Sequence, residues 1–248
     1  MSGSPRASTD LAEISLRLQE DLGLGSPPIQ VTYLSEPLPG VRVPSAAAPS
    51  VCTYFAEGRT GPFLVPLSLH EDCEIGAFVL GVAPAGELGA RLSSTVGQME
   101  KDGYLLPGEA LKIPRNETPP AYVHYAPLGQ APVSPTAVLL FVKARSLMLV
   151  LEAANRLGPE WTPPPMMMRP MCSIVPVLVK GRPLAISVGC AGSRVYTGLS
   201  DGEVIVGVRG DRIADFQRAL HAVGRANEAV TAENERRKGV ADSRKSAS

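Results

Sequence analysis

Apolar positions along this chain switch between helix-like and strand-like spacing many times and hold neither for long. Leu11, Ile14, Leu18 and Leu22 recur every three or four residues and predict a helix capped by Asp10. Pro27-Pro28 ends it, and the apolar run Ile29 to Leu34 reads as a strand. Residues Pro37 to Pro49 read as loop. Two short β-branched and aromatic runs follow, Val51 to Ala56 and Phe63 to Leu69, and both are expected as strands, with Cys73 just beyond the second. From Gly86 to Asp102 the period lengthens again: Leu88, Leu92, Val96 and Met99 share one face of a predicted helix.

The second half opens with predicted strands at Tyr122–Tyr125 and Val138–Val142. A helix from Arg145 to Leu157 is closed by Gly158, and Glu160 to Pro170 is a proline- and methionine-rich loop. Ser173–Val179 and Leu184–Val188 read as strands on either side of a hairpin-like turn at Lys180-Gly181-Arg182. Val195–Thr197 and Val204–Val208 are further short strands. Asp211 caps a last helix whose apolar face is Ile213, Phe216, Leu220, Val223 and Val230. The fold class is α/β in the broad sense (α+β): one compact body over residues 10–237. The polar ends, 1–9 and 238–248, are expected to be disordered.

An internal echo runs through this pattern. Cys52, Gly61-Pro62-Phe63-Leu64, Ser68, Cys73 and Gly76 are answered by Cys172, Gly181-Arg182-Pro183-Leu184, Ser187, Cys190 and Gly192. In each case two cysteines bracket a turn-and-strand unit about 20 residues long, which suggests two similar halves, 10–117 and 118–237. Packed face to face, such halves bring both cysteine pairs toward one axis. Chance recurrence of common Gly, Pro and Ser gives the same pattern.

Composition narrows the function. The 24 basic and 24 acidic residues cancel, so no global positive field draws the chain to nucleic acid or an acidic lipid surface. The most apolar stretch, Ala137 to Ala154, carries Lys143 and Arg145 and is not a membrane span. The first ten residues contain no apolar run of the kind a signal peptide needs. A cytoplasmic protein follows, possible as a homo-oligomer, and in a reducing compartment its four cysteines are free thiols, metal ligands or redox thiols.

Three segments carry candidate chemistry. In Gly189-Cys190-Ala191-Gly192-Ser193-Arg194 a strand delivers Cys190 into a glycine-framed turn. Gly189 and Gly192 let backbone approach a bound group, and Arg194 favours the thiolate. A hairpin with a structural cysteine reads the same way. In His70-Glu71-Asp72-Cys73 the histidine and cysteine are spaced to share a metal or to act as base and nucleophile, whereas a surface histidine after a strand is the simpler case. In Met166-Met167-Met168-Arg169-Pro170-Met171-Cys172 the thioethers, Met168 and Met171 among them, suit a soft metal or line an apolar cofactor pocket; Met-rich loops also fill gaps. The loop is expected to lie over the cysteine region. No dinucleotide or phosphate-binding glycine loop, GxSxG, HExxH or CxxC occurs.

The run Gly189-Cys190-Ala191-Gly192-Ser193-Arg194-Val195-Tyr196-Thr197-Gly198-Leu199, followed by Asp201-Gly202-Glu203, resembles the ArCR family, a domain-of-unknown-function family of bacteria and archaea. Cys73…Gly76…Leu80-Gly81 and Ala226-Asn227 extend the resemblance over roughly residues 10–235. Ser193 stands where many relatives have Asn. The resemblance implies one α/β unit with marked cysteine segments and implies no substrate.

Three functions fit these residues. The first is a redox protein or enzyme whose Cys52, Cys73, Cys172, Cys190 and His70 bind a metal, an iron–sulfur cluster or haem. The second is a thiol-dependent transferase or reductase with Cys190 or Cys73 as nucleophile, Cys190 and Arg194 forming its catalytic pair. The third is a non-catalytic binding protein serving a biosynthetic pathway. The partner is a small-molecule substrate or a redox protein.

Overall fold

Six strands pair antiparallel in the order β2-β3-β1-β4-β6-β5 in a computed structural model that describes residues 5–162 and 170–246. At the centre, β1 (Ile29–Leu34) lies between β3 (Tyr122–Pro127) and β4 (Ala137–Lys143), with Val31 opposite both Tyr125 and Ala137. β2 (Phe63–Pro66) adds to β3 at one edge. At the other edge, β6 (Glu203–Arg209) pairs with β4, and β5 (Leu184–Ser187) adds to β6. The fold is α+β.

The order reads the same from either edge. In each half the first strand lies at the central seam, the second at the outer edge and the third between them. Helices α2 (Val51–Glu57) and α3 (Glu74–Leu80) flank β2 along the chain, as α6 (Ile174–Val179) and α7 (Ala191–Thr197) flank β5. The two cysteine-bracketed segments therefore follow the same helix–strand–helix path at opposite edges. Because β3 belongs to the first half of the sheet, the topological division falls at residues 128–136, later than the expected 117/118 boundary.

Three segments expected as strands are helical: Val51–Ala56 lies in α2, Ser173–Val179 in a 3₁₀ turn and α6, and Val195–Thr197 in α7. All three are short. The first two are mostly buried, so apolar side chains on all sides erase the helical period. In Val195–Thr197, with Val195 and Tyr196 exposed, three β-branched and aromatic residues are too few to show a period. Strand β2 stops at Pro66, and Leu67–His70 form a 3₁₀ turn in place of the rest of the expected strand. Both ends are more regular than expected. Helix α1 (Pro5–Leu22) starts on a proline, whose fixed φ suits the first helical position. The last helix, α8 (Ile213–Ser246), continues through an Ala-, Glu-, Arg- and Lys-rich stretch of good helix formers. Residues 1–4 and 247–248 of the expected disordered ends lie outside the described residues.

Strand alternation gives the sheet two apolar faces. One carries Val31, Tyr125, Leu139 and Ile205 and is covered by α2, α3 and α6. The other carries Val138, Leu140, Val206 and Val208 and is covered by α1, α5 (Ala144–Leu157) and α8. Trp161 belongs to the second face and Met171 to the first. Among the described residues no helix is long and apolar enough to cross a membrane.

Candidate functional site

All four cysteines line one cavity of about 340 Å³ on the face covered by the short helices. Each sits at or just before the start of a helix. Cys52 is in the first turn of α2, Cys73 is the N-cap of α3, Cys172 lies in the 3₁₀ turn leading into α6, and Cys190 is the N-cap of α7. Two come from each half of the sheet. Cys52 and Cys172 are buried, whereas Cys73 and Cys190 are partly exposed.

Local sequence fixes these positions. The Ser50 hydroxyl accepts the amide N–H of Cys52 at 3.2 Å and lies 3.8 Å from the Cys73 thiol. Gly76 lets α3 close on α2: a Cβ there would stand 2.3 Å from Val51 Cγ2 and 3.0 Å from Cys73 Sγ. At Cys190 the cap is reciprocal. Its Sγ accepts the Ser193 N–H at 3.3 Å, and Ser193 Oγ accepts the Cys190 N–H at 2.7 Å. Gly189 has φ +79°, and a Cβ on it would meet Ser193 Oγ at 2.7 Å and Leu199 Cδ2 at 2.8 Å. Gly192 lines the cavity.

The sulfurs influence one another. Burial, and after it the neighbouring Cys190 thiol, push the Cys52 thiol up to about 12. Cys172 is raised well above the ordinary thiol value by burial and then by Cys52, Cys73 and Cys190. Both buried cysteines are thus neutral thiols near neutral pH unless a cation joins them. Among the described residues no Lys or Arg lines the cavity.

Other residues singled out by sequence lie elsewhere. His70 is buried outside the cavity wall, with Nδ1 against the Pro66 carbonyl at 3.1 Å and Nε2 against the Tyr125 hydroxyl at 3.2 Å. Both ring nitrogens are engaged. Arg194 donates to the Val188 and Ser200 carbonyls at 2.8 and 2.9 Å and pairs with Asp201 at 3.5 Å. It braces the turn around Cys190 and does not line the cavity. Met171 is fully buried in the core beside Cys172, and Met168 lies outside the described residues. Of the loop expected over the cysteines, Glu160 to Cys172, residues 163–169 lie outside the described residues, and Pro170 and Cys172 line the cavity.

Sequence reading missed another part of the lining. Helix α4 (Gly86–Lys101) and the segment after it contribute Thr95, Met99, Tyr104, Leu105, Glu109 and Ile113. The Tyr104 hydroxyl accepts the Ala191 N–H at 3.2 Å and so links this wall to α7. The helical spacing places Met99 on an apolar face, and nothing in that spacing points at the cysteines.

The symmetric sheet and the shared cavity define a class: an antiparallel α+β protein with a four-thiol pocket fed by both halves. The chain belongs to the DUF169 family, described as uncharacterised ArCR, which matches residues 17–218 and so spans both halves and all four cysteines. No curated protein and no solved structure matches it.

Proposed function

We propose that this is a cytoplasmic redox protein in which Cys52, Cys73, Cys172 and Cys190 hold an iron–sulfur cluster that serves a small-molecule substrate or a redox partner. One observation carries the reading: four cysteines from four separate segments, two from each half, converge on one mostly apolar cavity. The donor set suits thiophilic iron, and four thiolates match the ligand count of a cluster. Among the described residues no group of three or more His, Cys, Asp or Glu side chains that could hold a metal ion is formed. A tetrahedral thiolate site needs sulfurs about 3.8 Å apart, from metal–sulfur bonds of about 2.3 Å. A cluster spreads its thiolates over several irons and accepts a wider spacing. Haem is less well served, because His70 and Met171 are committed elsewhere.

A second reading has its own support. Cys190 is partly exposed and its sulfur accepts an amide N–H, an arrangement that suits a nucleophilic thiolate. Purification without air separates the two. A brown protein containing iron and acid-labile sulfide, which loses both when any one cysteine becomes serine, supports the cluster. A colourless, metal-free protein in which a thiol reagent labels Cys190 first supports the nucleophile.

A further inference from the structure

A groove between α5 and α8 gathers basic side chains. It measures about 600 Å³ and is lined by Arg156, Arg218, His221, Ala222, Arg225 and Ala226. All but Arg156 fall on α8 at helical spacing, so Arg218, His221 and Arg225 share one face over two turns. Arg156 joins them from the last turn of α5. In a chain whose 24 basic and 24 acidic residues cancel, this local excess does not follow from composition.

The groove's charge is only partly answered by the fold. Arg156 and Arg225 are exposed, and their side chains make no hydrogen bond or ion pair among the described residues. Arg218 shares the Asp215 carboxylate with Arg212. His221 donates from Nδ1 to Asp21 Oδ1 at 3.0 Å, and its Nε2 makes no hydrogen bond among the described residues. Neither Asp21 nor Asp215 lines the groove. The segments outside the described side chains, 1–9, 163–169 and 240–248, contain one acidic residue, Asp242. It lies roughly 25 Å beyond Arg225 along α8. Like charges set on one helix face repel, which costs stability unless a ligand answers them.

We propose that this groove binds a small, multiply charged oxyanion of the phosphate class, at a site separate from the cysteine cavity. It rests on neither reading of the cysteines. Guanidinium forks match phosphate oxygens in pairs and hold their charge throughout the physiological range. The small side chains of Ala222 and Ala226 leave room between the cations. Protonated, His221 adds a donor through Nε2. Exposed Glu152 and Glu228 stand one helical turn from Arg156 and Arg225 and confine the positive charge to the groove. That suits a compact ligand and not the long backbone of a nucleic acid.

The test is calorimetry of the full chain with pyrophosphate, phosphate and acetate, at about 0.1 M salt to screen distant charges. Pyrophosphate should occupy a single site and bind most tightly, and acetate least. Arg156→Gln together with Arg225→Gln should weaken pyrophosphate about tenfold while the melting temperature without ligand stays at the parent's value. Lys238→Gln removes a positive charge from α8 outside the groove and should leave binding unchanged. A parent that does not bind pyrophosphate overturns the proposal, and so does an equal loss in Lys238→Gln and in the groove variant. Tighter binding of a single-stranded oligonucleotide or of phosphatidylglycerol vesicles than of pyrophosphate also overturns it, since an extended polyanion would then be the ligand.

Discussion

The two faces of the sheet are built on opposite plans. One is covered by α1, α5 and α8, long helices whose Leu, Val, Ala and Phe side chains, with Trp161 from the turn after α5, form a core without a cysteine. The other is covered by α2, α3 and α6, helices of six or seven residues, with α7 beside them, and it carries every thiol of the chain. Long amphipathic helices stabilise well but present few starts. Short helices multiply N-terminal turns, and each of the four cysteines occupies one. The scaffold face supplies stability so that the other face can spend residues on a cavity.

This division predicts a separation of effects, largest first. Trp161 is fully buried on the scaffold face, stacked on Phe216 with ring centroids 6.0 Å apart and covered by Arg212. Trp161→Ala should cost about 3–5 kcal/mol in chemical denaturation, while iron content and thiol reactivity of the folded protein stay unchanged. Gly76→Ala strikes the other face. Its Cβ would overlap Val51, so about 3 kcal/mol should be lost, the top of the range for overpacking, and cluster content should fall with it. Equal effects of the two changes on the cluster would erase the contrast between faces.

His70 lies under the cavity face and adds a pH dependence. Burial lowers its pKa from 6.5 to about 4. Below pH 6.5 the unfolded chain takes up a proton that the folded chain refuses until about pH 4, so stability falls as pH drops through that window. At pH 5 the loss is about 2 kcal/mol relative to pH 8. Denaturation curves at the two pH values should show a loss about 2 kcal/mol larger in the parent than in His70→Gln, where buried His124, its pKa also lowered by burial, still contributes. The smallest effect belongs to Arg194→Ala. Its hydrogen bonds hold the Val188–Ser200 turn, so about 1 kcal/mol of stability should go while cluster absorption stays. Loss of the cluster in this variant would restore Arg194 to the site.

Much of the scaffold was legible because its helices are long enough to show a period. Leu18, Leu22, Phe216 and Leu220 fall on the predicted faces and are buried. Strands β1, β3, β4, β5 and β6 were legible as apolar runs between turn residues. The cavity face was harder, since α2, α6 and α7 are too short to complete two helical turns of pattern. Signals against strands were nonetheless present: Ser50 is an N-cap, and Pro176 interrupts the apolar run of α6, where a central strand would exclude it. The Cys190–Ser193 spacing of the α7 cap is a third. The convergence of the cysteines was suggested by the echo, whereas the wall from Thr95 to Ile113 depends on tertiary packing that no local spacing encodes.

The central claim is that the four thiols act together on one bound group. The most direct measurement is the visible spectrum, with iron and sulfide content, of the parent and the four single Cys→Ser variants purified without air. The parent should absorb in the visible through thiolate-to-iron charge transfer, and iron and sulfide should drop in every variant, buried Cys52 and Cys172 as much as rim Cys73 and Cys190. A colourless, iron-free parent, or a cluster that survives replacement of three of the four cysteines one at a time, would contradict it.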